Sequence, residues 1–221
     1  MMIKTAKEFF KKFIGVLYKR VKKMFNFLKR VLGYFRKSKF VNNFKCCERS
    51  SSFGSNGYGK GCIIIGKENM SIGGNTRFGS ECELYAYNTH FSQKLNSELI
   101  VGNNVRVTSK CRITCAGKIT IGNNVLIAPE VFITDHNHGM DPTDERGYSP
   151  QPLKIANVII EDGVWLGHRS TILPGVTIGK HSIIGANSVV TSNIPEYSMA
   201  VGVPARVIKK WNMKEKRWER V

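Results

Sequence analysis

Five histidines, His90, His136, His138, His168 and His181, are the side chains of this sequence best suited to move a proton near neutral pH. An isolated His on a polar stretch is usually solvated or hydrogen-bonded, and His90 and His181 read that way. His136 and His138 differ, because they stand in FITDHNHGMDP, where a regular pattern breaks off into a long insertion. With Asp135 they offer imidazole and carboxylate donors of the kind that bind zinc, but no third ligand is placed beside them. General acid-base chemistry needs less: one His near its ordinary pKa of about 6.5, within hydrogen-bond reach of a substrate hydroxyl. The six Cys show no paired CxxC spacing, so no metal is expected. Cys82 and Cys111 fall at interior positions of the pattern as small apolar groups, and a reduced, cytoplasmic protein is the simplest expectation.

The elements that must position these residues announce themselves by a period of six. Ile160, Leu166, Ile172, Ile178, Ile184 and Val190 recur at every sixth position, with Gly167, Gly179 and Gly185 next in line and Val164, Ser170, Val176, Ser182 and Ser188 four residues after an aliphatic one. That period fits neither a helix nor a hairpin; it describes short strands joined by tight corners, three to a triangular coil of a parallel β-helix. The same register runs through Ile72, Phe78 and Leu84, then Val101, Val107 and Ile113, then Ile121, Ile127 and Ile133. Together the hexads predict roughly five coils, each rising about 4.8 Å. A solenoid tolerates insertions at its corners, so the interruptions at 85–100, 116–117 and 135–157 mark the expected working surface. After Val190 the repeat ends and residues 195–221 read as a tail.

Charge is uneven. Residues 1–50 hold 15 Lys or Arg against Glu8 and Glu48, whereas the whole chain of 221 residues carries +18. Phe10, Ile14, Leu17, Val21, Met24, Leu28, Val31 and Phe35 follow helical spacing with basic residues between them, predicting a basic amphipathic helix over residues 1–45. Its longest uncharged apolar stretch, 13–18, is far below the roughly 20 residues that cross a bilayer. Lys facing Lys disfavours a coiled coil, and contact with an anionic membrane suits the charge and the extra Phe residues better. Nothing resembles a base-reading module, so no nucleic-acid partner is expected.

NNVLIAPEVFITDHNHGMDP, followed by NVIIEDGVWLGHRSTILPGVTIGKHSIIGANSVVTSNIPEYSMAVGVPARVI, resembles the hexapeptide-repeat O-acetyltransferases of the galactoside, maltose, nodulation-factor and xenobiotic group. The resemblance covers about residues 60–210. It implies an all-β fold, a left-handed parallel β-helix, assembled as a homotrimer with acetyl-CoA bound between neighbouring subunits. The family pattern His-x-x-Asp-Pro falls on His138, which the resemblance makes the general base, with His136 supporting it or binding the acceptor. Positions matching the family's CoA contacts are His168, Ala186, Thr191, Ser192, Arg206 and Lys209, with Trp165 where the family places an aromatic. Gly167 joins the cofactor edge, its backbone N–H a candidate donor to the oxyanion of direct acetyl transfer.

The stretch VTSKCRITCAGK lacks the polar pair that sugar-specific members carry before the catalytic loop, and together with the basic extension it is more similar to acetyltransferases of bacterial surface-polysaccharide assembly. The expected acceptor is therefore a sugar or a lipid-linked saccharide, with the protein cytoplasmic and peripheral at the inner face of the membrane. The expected organisation is a basic helical extension over 1–45, an acetyltransferase β-helix over 60–194 with its catalytic loop at 135–157, and a CoA-associated tail over 195–221. Two other classes share the scaffold: a metal-dependent hydratase of the γ-carbonic anhydrase type and a non-catalytic trimeric scaffold.

Overall fold

The computed structural model describes residues 57–221 and the short strand Lys45–Cys46; the amphipathic helix expected over 1–45 lies outside the described residues. The chain divides into two compact units, Met1–Asn43 and Phe44–Val221. Within the second, strands of two to four residues stack in parallel into three faces of a β-helix. Among the described residues no helix is long and apolar enough to cross a membrane.

The six-residue period becomes three interior columns. On the first face Tyr58, Phe78, Val107, Ile127, Leu166 and Ile184 stack in register. On the second, Ile64, Leu84, Ile113, Ile133, Ile172 and Val190 do so, and on the third Ile72, Val101, Ile121, Ile160, Ile178 and Ile194. The second face is a six-stranded sheet, so the solenoid has six coils rather than five. The extra rungs are Tyr58, Ile64 and Ile194: an aromatic fills the first position, and Ile64 and Ile194 are followed by Ile65 and Pro195 in place of Gly. Pairing on the first face already begins at Lys45–Cys46, ahead of residue 60.

Two residue types make the corners, for different reasons. On the first and third faces the third residue after each interior column residue adopts a left-handed backbone even where it is neither Gly nor Asn: φ is 58° at Lys110, 61° at Glu130 and 56° at Arg169. Their N–H groups donate to Ser80, Ser109 and Pro129 carbonyls one coil away, and this ladder offsets a conformation that costs roughly 1–2 kcal/mol per residue. Glycine directly after the aliphatic residue serves close approach instead. A Cβ on Gly102 would lie 2.6 Å from the Gly122 carbonyl oxygen. Gly102→Ala should therefore force two coils apart and cost about 1–3 kcal/mol, read as a lower urea midpoint with unchanged slope.

The expected tail is not a tail. Ser198–Gly202 continues the first face in parallel, and Ala205–Asn212 and Arg217–Arg220 fold back as an antiparallel hairpin that extends it to ten strands. The six-residue rule ends because antiparallel pairing needs only alternation.

Candidate functional site

Both long insertions leave the same edge, between the second and third faces. One spans 87–97 and carries the small hairpin Thr89–His90 with Gln93–Lys94; the other spans 135–157, with His136–Asn137 paired antiparallel to Lys154–Ile155. They rise from coils two and four. The coil between them turns the same corner with only Ala116 and Gly117.

That bare corner grips the larger insertion. Asp135, fully buried, accepts the N–H groups of Ala116 and Gly117, each at 2.8 Å, and the thiol of Cys115 at 3.4 Å. Its Oδ1 also lies 2.8 Å from Nδ1 of His136. Burial works to raise the Asp135 pKa, but His136 and the two backbone donors outweigh it, and the carboxyl is held below its ordinary 3.8. Burial and the neighbouring Asp135 charge push the Cys115 thiol up to about 12, so it remains a protonated donor.

A carboxylate on Nδ1 fixes the imidazole tautomer and leaves Nε2 of His136 to face a substrate. The ring is further braced by Tyr87, edge to face at 5.7 Å between centroids. His138 is differently placed: it is exposed, makes no hydrogen bond among the described residues, and packs against the ring of His90 at 5.2 Å. His90 is hydrogen-bonded, as expected: its Nε2 lies 2.9 Å from the Ser149 carbonyl oxygen and 3.2 Å from that of Gln151, tying the two insertions together. Gln93 clasps Leu153 through both backbone groups, and buried Gln151 clamps Asp141 and Gly147. Asp141, the acid of the His-x-x-Asp-Pro pattern, bonds Thr143 and shapes the loop without touching His138. His181 sits at a corner between the third and first faces, stacked on Tyr197.

The electrostatics of Asp135 carry a stability prediction. Its folded pKa is lowered, so its contribution is complete above pH 3.8 and is lost as the pH falls through the folded value. Urea unfolding of the native protein and Asp135→Asn should differ most at neutral pH, with the gap closing only below about pH 4.

The expected coenzyme residues divide between places. Gly167, His168 and Ala186 lie together at the corner from the first to the second face, where a Cβ on Gly167 would meet Ala186 N at 2.7 Å. Thr191 and Ser192 turn the next corner, on the edge that carries the insertions. Arg206 and Lys209 lie on the strand Ala205–Asn212. One expectation is corrected: the Gly167 N–H donates to the Ile184 carbonyl at 2.8 Å and cannot also receive an oxyanion. The next N–H, that of His168, makes no hydrogen bond among the described residues. Nor, among them, do three His, Cys, Asp or Glu side chains converge as a metal site would require.

A solenoid of six-residue repeats stacked as a parallel β-helix is the architecture of the hexapeptide-repeat class of transferases. The family described as "Bacterial transferase hexapeptide (six repeats)" matches residues 157–192. Among curated relatives, "Putative lipopolysaccharide biosynthesis O-acetyl transferase WbbJ" of Escherichia coli K12 is 38% identical over 165 residues, covering 72% of this chain and 81% of that one. The galactoside O-acetyltransferase of Escherichia coli K12 is 37% identical, over 55% of this chain and 59% of its own length. A solved N-acyltransferase from Bacillus cereus, AntD, in complex with dTDP and 3-hydroxybutyryl-CoA, is similar in fold, with a TM-score of 0.58 and 25% identity over 72% of this chain and 81% of its own. The chain belongs to the hexapeptide-repeat acetyltransferase family, and it is an acyltransferase.

Proposed function

We propose that this chain transfers an acetyl group from acetyl-CoA to a saccharide hydroxyl in the assembly of a bacterial surface polysaccharide, with His136 as general base. The observation that carries the reading is the Asp135–His136 pair, 2.8 Å apart on an insertion anchored by a neighbouring coil. Nε2 of His136 takes the proton as the acceptor oxygen attacks the thioester carbonyl carbon. The tetrahedral intermediate then collapses with cleavage of the carbon–sulfur bond, and the imidazolium returns its proton to the departing CoA thiolate. The His168 N–H is a donor for the oxyanion. Arg206 and Lys209 meet coenzyme phosphates, while Gly167, Ala186, Thr191 and Ser192 leave room for the pantetheine arm. His138, against His90, lines the acceptor side.

The reading includes a homotrimer. Within one chain the Gly167–His168–Ala186 edge and the His136 edge lie at opposite sides of the second face, so a site that uses both takes one edge from each of two chains. Leu126 and Trp165, 40% and 47% exposed and paired in register on the outer side of the first face, supply apolar surface for that contact. The name of the Escherichia coli relative 38% identical to the chain supports a polysaccharide acceptor, and the basic sequence of residues 1–45 supports a cytoplasmic protein held at the inner membrane face.

Release of CoA thiol from acetyl-CoA, measured with saccharide acceptors present and absent, tests the reaction. Acceptor-dependent release with acetyl ester recovered on the sugar is the expected result. Release without an acetylated sugar, or none with any saccharide, would defeat it.

A further inference from the structure

The β-helix body is electrically balanced and its terminal hairpin is not. Residues 51–204 carry twelve Lys or Arg and twelve Asp or Glu, whereas residues 205–221 carry seven against two. The excess sits on the hairpin Ala205–Asn212 and Arg217–Arg220, whose second strand is the outer edge of the ten-stranded sheet. Lys209 lies directly across from Arg220. Like charges opposed in this way repel, so the pair favours an anion beside it.

Two positions along the same side, Trp211 faces Trp218, the rings edge to face with centroids 5.4 Å apart and both side chains half-buried. The connecting turn presents Met213, 57% exposed, ahead of Lys214 and Lys216. Arg217 is held by Glu219 at 3.2 Å. Lys214, Lys216 and Arg220 form no ion pair among the described residues.

Half-exposed indoles flanked by long cations match the boundary of an anionic bilayer, where the rings lie among headgroups and the cations meet lipid phosphate. We propose that this hairpin docks the β-helix on an anionic membrane surface, with Trp211, Met213 and Trp218 entering the headgroup layer and Lys214, Lys216 and Arg220 contacting lipid phosphates. A nucleic acid would satisfy the same cations, but it offers nothing to the exposed side chain of Met213. Arg206 and Lys209 remain with the coenzyme in the acetyl-transfer reading; the membrane contact rests on Trp211, Met213, Lys214, Lys216, Trp218 and Arg220 and needs no turnover to be tested.

The chain supplies its own probe, because residues 1–56 contain no Trp and the three indoles are Trp165, Trp211 and Trp218. Full-length protein carrying Trp165→Phe is mixed with vesicles of phosphatidylcholine alone or of phosphatidylcholine with phosphatidylglycerol, both carrying the same fraction of brominated acyl chains. Flotation and indole quenching are read at low and high salt. The expected result is quenching by phosphatidylglycerol vesicles at low salt, its loss at high salt, and none with phosphatidylcholine. A Lys214→Glu/Lys216→Glu/Arg220→Glu variant should need at least about tenfold more lipid for half-maximal quenching. Native protein, with Trp165 as a constant background, repeats the comparison should the Trp165→Phe chain misfold. Flotation without indole quenching would place membrane contact elsewhere in the chain and overturn the proposal. So would quenching indifferent to the triple substitution, no vesicle binding at all, or hairpin binding to a single-stranded oligonucleotide in place of vesicles.

Discussion

His136→Ala lowers turnover by about a hundredfold or more, the usual loss when a positioned general base is removed, and leaves affinity for acetyl-CoA nearly unchanged. His138→Ala has the smaller effect and shows it in the acceptor KM. The ordering follows from what each ring touches. His136 has a buried carboxylate on Nδ1 and an aromatic edge against its ring, so its Nε2 points one way and in one protonation pattern. His138 has an exposed ring set edge to face against another His, with no hydrogen bond among the described residues to fix its tautomer. Steady-state kinetics of the two single variants on one acceptor decide the matter. If His138→Ala is inactive and His136→Ala retains most of its turnover, the pattern His-x-x-Asp-Pro identifies the base and the Asp135 pair serves only to fold the loop.

The β-helix is legible in the chain because an interior only one side chain wide must be filled by an aliphatic residue on each strand, and the spacing of strands is the spacing of those residues. Where another group fills the column, the period fades: Tyr58 stacks on Phe78 with ring centroids 5.2 Å apart, and its hexad escapes a search for Ile, Leu and Val. The candidate site is legible only in part. That insertions mark it follows from solenoid geometry, but that Asp135 supports His136 depends on backbone N–H groups of Ala116 and Gly117, close in space and distant in sequence. The short interruption at 116–117 is the one hint, a corner kept bare so that its donors can be reached. His90 meets His138 across 48 positions of sequence, since the two insertions share an edge two coils apart. No spacing rule within either insertion records that.

Mixed trimers of two inactive chains should regain activity. His136→Ala removes the base and leaves the coenzyme edge intact; Arg206→Ala weakens the coenzyme edge and leaves the base. If each site joins the His136 edge of one subunit to the Gly167–His168 edge of its neighbour, random assembly from equal amounts gives about a quarter of sites both intact contributors. Because either homotrimer alone is nearly inactive, recovery to about that fraction of native turnover is a large signal. The geometry behind it is the second face itself: its strands run from the corner at Gly167 and Ala186 to the corner where the insertions leave. Exchange is verified by mass-tagging one variant and isolating mixed species before assay. Activity that stays at the level of the separate homotrimers, in species shown to be mixed, would mean that both edges serve one site within a single chain.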